Sequence, residues 1–149
     1  MDATGVPRIE LGCEGPSLLV VGIDGSDTSL RALHYAFGLA RRERGVVVAV
    51  FAFAPIRSWD GISAGVCYTG EELADELRAA VDSLSEELHV PAEFLRDQRD
   101  PVRTLIEVAS TRCADAIIVG ASKALSHKLF GSKAARTIRR SRCPVIVVP

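Results

Sequence analysis

The sequence predicts one α/β domain built on a doubly wound, five-stranded parallel sheet in the order 3-2-1-4-5, with helices on both faces. Three observations carry this. Short apolar runs rich in β-branched residues recur along the chain, each closed by turn-forming residues. Stretches with apolar residues at helical spacing separate them, and strict alternation of strand and helix makes the strands parallel. The length, 149 residues, supplies one sizeable core and little more.

Each element has its own reason. Ser17 to Ile23 is a run short enough for a strand buried on both faces, and Asp24-Gly25-Ser26 turns the chain after it. Leu30, Leu33, Phe37 and Ala40 share one helical face, with Ser26 or Asp27 as the cap and Gly45 as the stop. Val46 to Phe53 is the second strand. Pro55 to Gly70, rich in Gly, Pro and Ser, reads as a loop. Thr69-Gly70-Glu71-Glu72 then reads as a capping box opening a helix with Leu73, Leu77, Val81, Leu84 and Leu88 inward. His89 to Leu95 is a weaker third strand. Asp100-Pro101 caps and opens the next helix, with Val102, Leu105, Ile106 and Ala109 inside. Ala116 to Gly120 is the fourth strand. Ser132 caps a helix running to Ser141, and Pro144 to Val148 is the last strand. Residues 1–16 read as a loose arm and 17–149 as the domain.

Composition excludes several classes. Hydrophobic residues are 48% and charged residues 25%, a globular balance, and a net charge of −1 gives no global attraction to nucleic acid or membrane. No run approaches a membrane span, and Met1 to Pro16 lacks an apolar signal core, so a cytoplasmic location is expected. Cys13, Cys67, Cys113 and Cys143 are scattered without a Cys-x-x-Cys pair, which reads as reduced packing cysteines and not as a zinc or dithiol motif. No Ser/His/Asp or Cys/His set can be assembled from positions that should meet, so the sequence leans away from an enzyme.

Ligands of doubly wound sheets sit beyond the carboxyl ends of the strands, where the strand order reverses. The first and fourth strands deliver Asp24-Gly25-Ser26 and Gly120-Ala121-Ser122 to that edge. Asp24 has two readings there, as a ligand-binding carboxylate or as a turn residue bonded to its own backbone. Between Ala121 and Arg142 stand seven cations, Lys123, Lys128, Lys133, Arg136, Arg139, Arg140 and Arg142, with no Asp or Glu among them. They read as an anion site or as a solvated face. The end of the second strand, around Ala52 and Phe53, offers an apolar slot.

Val21 to Ser26, together with the ending from Ile117-Ile118-Val119-Gly120 through Gly131-Ser132 to Cys143-Pro144-Val145-Ile146-Val147-Val148-Pro149, resembles the universal stress protein family over nearly the whole chain. The resemblance implies a non-enzymatic stress-response module with an adenine-nucleotide site for ATP or AMP, with magnesium only where a triphosphate binds. It also implies a homodimer paired through the last strand. From the resemblance and the strand ends together, the expected site residues are Asp24, Gly25, Ala52, Gly120, Lys123, Gly131 and Ser132. ATP-binding members carry Gly-x-x-Gly, nine residues, then Gly-Ser or Gly-Thr, whose glycines let backbone N–H groups reach phosphate. Here Lys123 stands in place of the second glycine, and Ala124 to Phe130 make the loop two residues short. Two readings arise from this: an anion held by charge, or a nucleotide-independent dimeric scaffold. An ATP-hydrolysing or adenylyl-transferring enzyme is a third.

Overall fold

A computed structural model describes residues 16–53, 66–121 and 133–149. Strands and helices alternate as β1 (Leu18–Gly22), α1 (Asp27–Glu43), β2 (Val46–Ala52), α2 (Val66–Leu88), β3 (Ala92–Asp97), α3 (Pro101–Thr111), β4 (Ala116–Gly120), α4 (Lys133–Arg140) and β5 (Val145–Val148). All strand pairs are parallel and the order is β3-β2-β1-β4-β5, the order the sequence predicts. Leu18 lies opposite Val46, Leu19 opposite Ala116, and Ile117 opposite Val145.

The pleat divides the core in two. Leu19, Val21, Val47, Ala49, Phe51 and Ile118 face α1 and α2, where they meet Leu33, Phe37, Leu77 and Val81. Val20, Val48, Val50, Ala52, Ile117 and Val119 face the opposite side, against Leu105, Ala109 and Ala134 of α3 and α4. Leu33 and Phe37 are fully buried, and burial on this scale contributes about 1.5–3 kcal/mol per side chain. Because both faces are covered, the central strands carry almost no polar residue. Among the described residues, no helix is long and apolar enough to cross a membrane.

Three boundaries differ from the sequence expectation, each for a local reason. α1 ends at Arg44, which takes the left-handed conformation (φ 56°) while its N–H returns to Ala40 O. Gly45 is required by proximity instead: a Cβ there would lie 2.8 Å from Ser17 O. α2 begins at Val66, so Thr69 to Glu72 lies inside it; the Glu71 carboxylate meets Arg96 at 2.8 Å and is not folded back as a cap. β3 starts at Ala92 because α2 keeps the chain longer. His89 is left-handed (φ 53°), Val90 N–H donates to Ser85 O, and the Ser85 hydroxyl donates to Val90 O at 2.7 Å. The loose arm and residues 54–65 lie outside the described residues.

One side chain anchors the entrance to β1. Asp115 Oδ2 accepts from Ser17 N and Leu18 N, both at 2.8 Å, and from the Ser17 hydroxyl at 3.0 Å. The Leu18 N–H is the main cause holding this carboxyl below its ordinary 3.8, with the Ser17 groups adding to it. A lowered folded-state pKa stabilises the fold above the ordinary value, and that contribution is lost as pH falls through the lowered one. We therefore expect Asp115→Ala to cost about 1 kcal/mol in urea denaturation at neutral pH. Its deficit relative to the wild type should shrink below pH 3.8. Equal midpoints at neutral pH would show that the clamp contributes nothing.

Candidate functional site

The chain leaves β1 through Ile23, whose N–H still donates to Val50 O at 2.9 Å, and turns at Asp24-Gly25-Ser26. Gly25 holds φ 81°, a conformation that suits glycine. A closed set of hydrogen bonds fixes the entry into α1. Asp24 Oδ1 accepts from Ser26 N at 3.1 Å and from the Ser26 hydroxyl at 2.6 Å. Ser26 Oγ accepts from Ser29 N, capping α1. Ser29 Oγ accepts from Asp24 N and donates to Ser26 O. The two readings of Asp24 thus divide between its oxygens. Oδ1 belongs to the turn, and Oδ2 faces Lys133 Nζ at 3.4 Å.

Across this turn lies the end of β4. A Cβ on Gly120 would stand 2.5 Å from the Thr28 carbonyl carbon and 2.7 Å from Ser29 N. Gly120 therefore lets the first turn of α1 rest directly on β4, a packing role that the sequence reading, centred on phosphate approach, did not include. On the other face, α3 opens with Asp100 as cap, its side chain accepting from Arg103 N at 3.0 Å, and Pro101 follows in the first turn. Arg136 Nη2 reaches both Asp100 oxygens at 3.3 Å. Two cations of α4 thus bridge to the two sides, Lys133 to the β1 turn and Arg136 to the α3 cap.

Between these elements is a cleft of about 430 Å³. Its apolar lining comes from Gly22, Ala52, Val102, Leu105, Val119 and Ala134, and its polar rim from Asp24, Ser26, Thr28, Ser29 and Lys133. The starts of α1, α3 and α4 all contribute residues to it, so helix N-termini add positive potential to that of Lys133. Burial tends to raise the Asp24 carboxyl, but hydrogen bonds from Ser26 outweigh it and, with Lys133, hold the group below its ordinary value. Asp24 is therefore an anion at neutral pH.

Of the residues expected at the site, Asp24, Ala52 and Gly120 line this cleft, while Gly25 shapes the turn behind it. Lys123, Gly131 and Ser132 lie outside the described residues. Phe53 is on the other face, stacked near Phe51 with centroids 5.3 Å apart and packed on the α1–α2 core. Val102 and Leu105 form a wall that the sequence reading treated only as core. The signal was present in Asp100-Pro101, which places a helix start at the carboxyl edge, but assigning that helix to this cleft requires knowing that α3 crosses β1 and β2. His34 bonds its own helix at Leu30 O and His89 ends α2, so neither reaches the cleft. Among the described lining residues the ionisable side chains are Asp24 and Lys133, and no group of acidic, His or Cys residues suited to a metal is found among the described residues. Among the described residues, the arrangement is a recess with a polar rim and presents no paired nucleophile and base.

Comparison with known proteins agrees with this fold. The model of the universal stress protein family matches residues 18–149. A universal stress protein of Methanocaldococcus jannaschii is 30% identical over 140 residues, covering 87% of this chain and 80% of its own. A solved universal stress protein in complex with cAMP superposes with a TM-score of 0.72 at 27% identity, covering 91% of this chain and 98% of that one. One from Archaeoglobus fulgidus in complex with dAMP gives 0.68 at 23% identity, covering 89% and 98%.

The two glycines at the cleft differ in what surrounds them, and this is testable. A Cβ on Gly22 would meet the flexible Leu105 side chain at 2.8 Å, whereas one on Gly120 meets rigid backbone. Gly120→Ala should cost about 1–3 kcal/mol in urea denaturation, and Gly22→Ala distinctly less, because Leu105 can change rotamer. Equal losses would mean that α1 does not bear on β4 as tightly as the geometry indicates.

Proposed function

The chain belongs to the universal stress protein family, and we propose that it is a non-enzymatic regulatory module whose cleft takes an adenine nucleotide. The observation that carries this reading is the cleft itself, an apolar floor at the carboxyl ends of β1, β2 and β4 beside a cationic rim at Lys133. A volume of about 430 Å³ is in the range of small-ligand sites. The base lies against Ala52, Val102 and Leu105, and the phosphate lies toward Gly120 and Lys133. By sequence, Lys123, Gly131 and Ser132 join that phosphate side. Relatives solved with cAMP and dAMP support the ligand class. The shortened loop and the side chain at Lys123 favour one phosphate over three, so magnesium is not required.

A second reading, a dimeric scaffold that needs no nucleotide, rests on β5. Among the described residues this edge strand pairs only with β4, and Val147 is exposed. An apolar edge is a template for another chain, and an antiparallel copy about a two-fold axis would cover both edges at once. We place a homodimer contact there, compatible with either reading.

Heat-denaturing the purified protein and identifying released small molecules tests for a resident nucleotide, and calorimetry with AMP, cAMP and ATP ranks them. AMP or cAMP should bind more tightly than ATP, and Lys133→Ala should weaken AMP by about tenfold or more, the value of a hydrogen bond to a charged group. Absence of binding by all three leaves the scaffold reading. Light scattering should give a mass near twice 16.0 kDa. Val147→Lys should shift it to monomer, and is preferable to replacing Ile146, which packs into the α1 core. A wild-type monomer at high concentration contradicts the dimer.

A further inference from the structure

At the opposite edge of the sheet, a second cleft of about 240 Å³ lies where α3 and α4 end, and both Cys113 and Cys143 line it. The two are 30 positions apart in sequence, which is why spacing alone reads them as unrelated packing residues. The fold brings both to one cleft: β4 and β5 run side by side, Ile117 pairs with Val145, and its N–H donates to Pro144 O. Cys113 stands three residues before β4 and Cys143 two before β5, so both precede neighbouring parallel strands at the same end of the sheet. Cys113 is exposed and left-handed (φ 53°) at the end of α3, and its thiol is free. Cys143 is half-buried against the α3–α4 core. Its backbone is fixed at both ends by Ser141, whose hydroxyl accepts from Cys143 N at 3.1 Å and donates to Cys143 O at 2.8 Å.

We propose that Cys113 and Cys143 form an oxidation-sensitive dithiol that closes to an intramolecular disulfide under peroxide. Exposure makes Cys113 the attacking thiol. Its thiolate displaces hydroxide from hydrogen peroxide and becomes a sulfenic acid, and the proton it gave up neutralises that hydroxide to water. The Cys143 thiolate then attacks the sulfenic sulfur, forming the S–S bond and releasing the oxygen as a second water with the Cys143 proton. In sum, two thiols and one peroxide give one disulfide and two waters. The bond closes a ring that carries β4 with Gly120 and α4 with Lys133, so one side of the cleft, from Val119, Gly120, Lys133 and Ala134, lies within the segment it constrains. The proposal stands on the dithiol cleft alone and does not require that a nucleotide bind.

The test uses the full chain carrying Cys13→Ser and Cys67→Ser, leaving only the proposed pair. Treatment with equimolar hydrogen peroxide should lower the intact mass by about 2 Da, with no rise in chain number on a non-reducing gel and full reversal by dithiothreitol. Peptide mapping should recover Cys113 joined to Cys143. Adding Cys143→Ser should instead leave a sulfenic acid at Cys113 that dimedone traps, whereas Cys113→Ser should leave Cys143 slow to oxidise. Oxygen addition to both cysteines without a cross-link, or disulfides formed only between chains, would overturn the proposal.

Discussion

The cleft exists because the first turn of α1 rests directly on the end of β4. At Gly120 there is no room for a side chain: a Cβ would penetrate the backbone of Thr28 and Ser29. That contact fixes the height at which α1 starts, and the bonds among Asp24, Ser26 and Ser29 fix the turn that feeds it. The chain leaves β1 toward β2 on one side, while β4 lies on the other. Their loops therefore diverge, leaving the crevice expected where strand order reverses. α3 closes the other wall, and α4 brings Lys133 to the rim.

Among the described residues, two cations beside the cleft are paired without a ligand. Lys133 meets Asp24 and Arg136 meets Asp100, each pair partly exposed. Such pairs contribute at most about 1 kcal/mol, so an entering anion displaces little. The cost of freeing Lys133 is small beside a charge-assisted bond to phosphate.

Much of the fold was legible because it rests on local chemistry. Continuous apolar strands, helical spacing and the caps at Ser26 and Asp100 are short-range signals, and they specify a parallel sheet covered on both faces. The boundaries that moved depended on groups distant in sequence: Gly45 answers to Ser17, and Glu71 to Arg96. The site was legible in part. Asp24, Ala52 and Gly120 follow from the ends of their strands, whereas Val102 and Leu105 enter only through the crossing of α3 over β1 and β2. Phe53 lies away from the cleft because a one-residue step along the chain from Ala52 reverses the face. That Cys113 and Cys143 line one cleft depends on β4 and β5 lying side by side, which no spacing rule encodes.

The central claim is that the crevice above β1 and β4 is where an adenine nucleotide binds. Titrating the isotopically labelled protein with AMP and following backbone amide resonances tests it most directly. The account predicts saturable shifts at Gly22, Asp24, Ala52, Gly120 and Lys133, with the α3–α4 end around Cys113 and Cys143 left unmoved. Shifts that never saturate, or that cluster away from these strand ends, would contradict it.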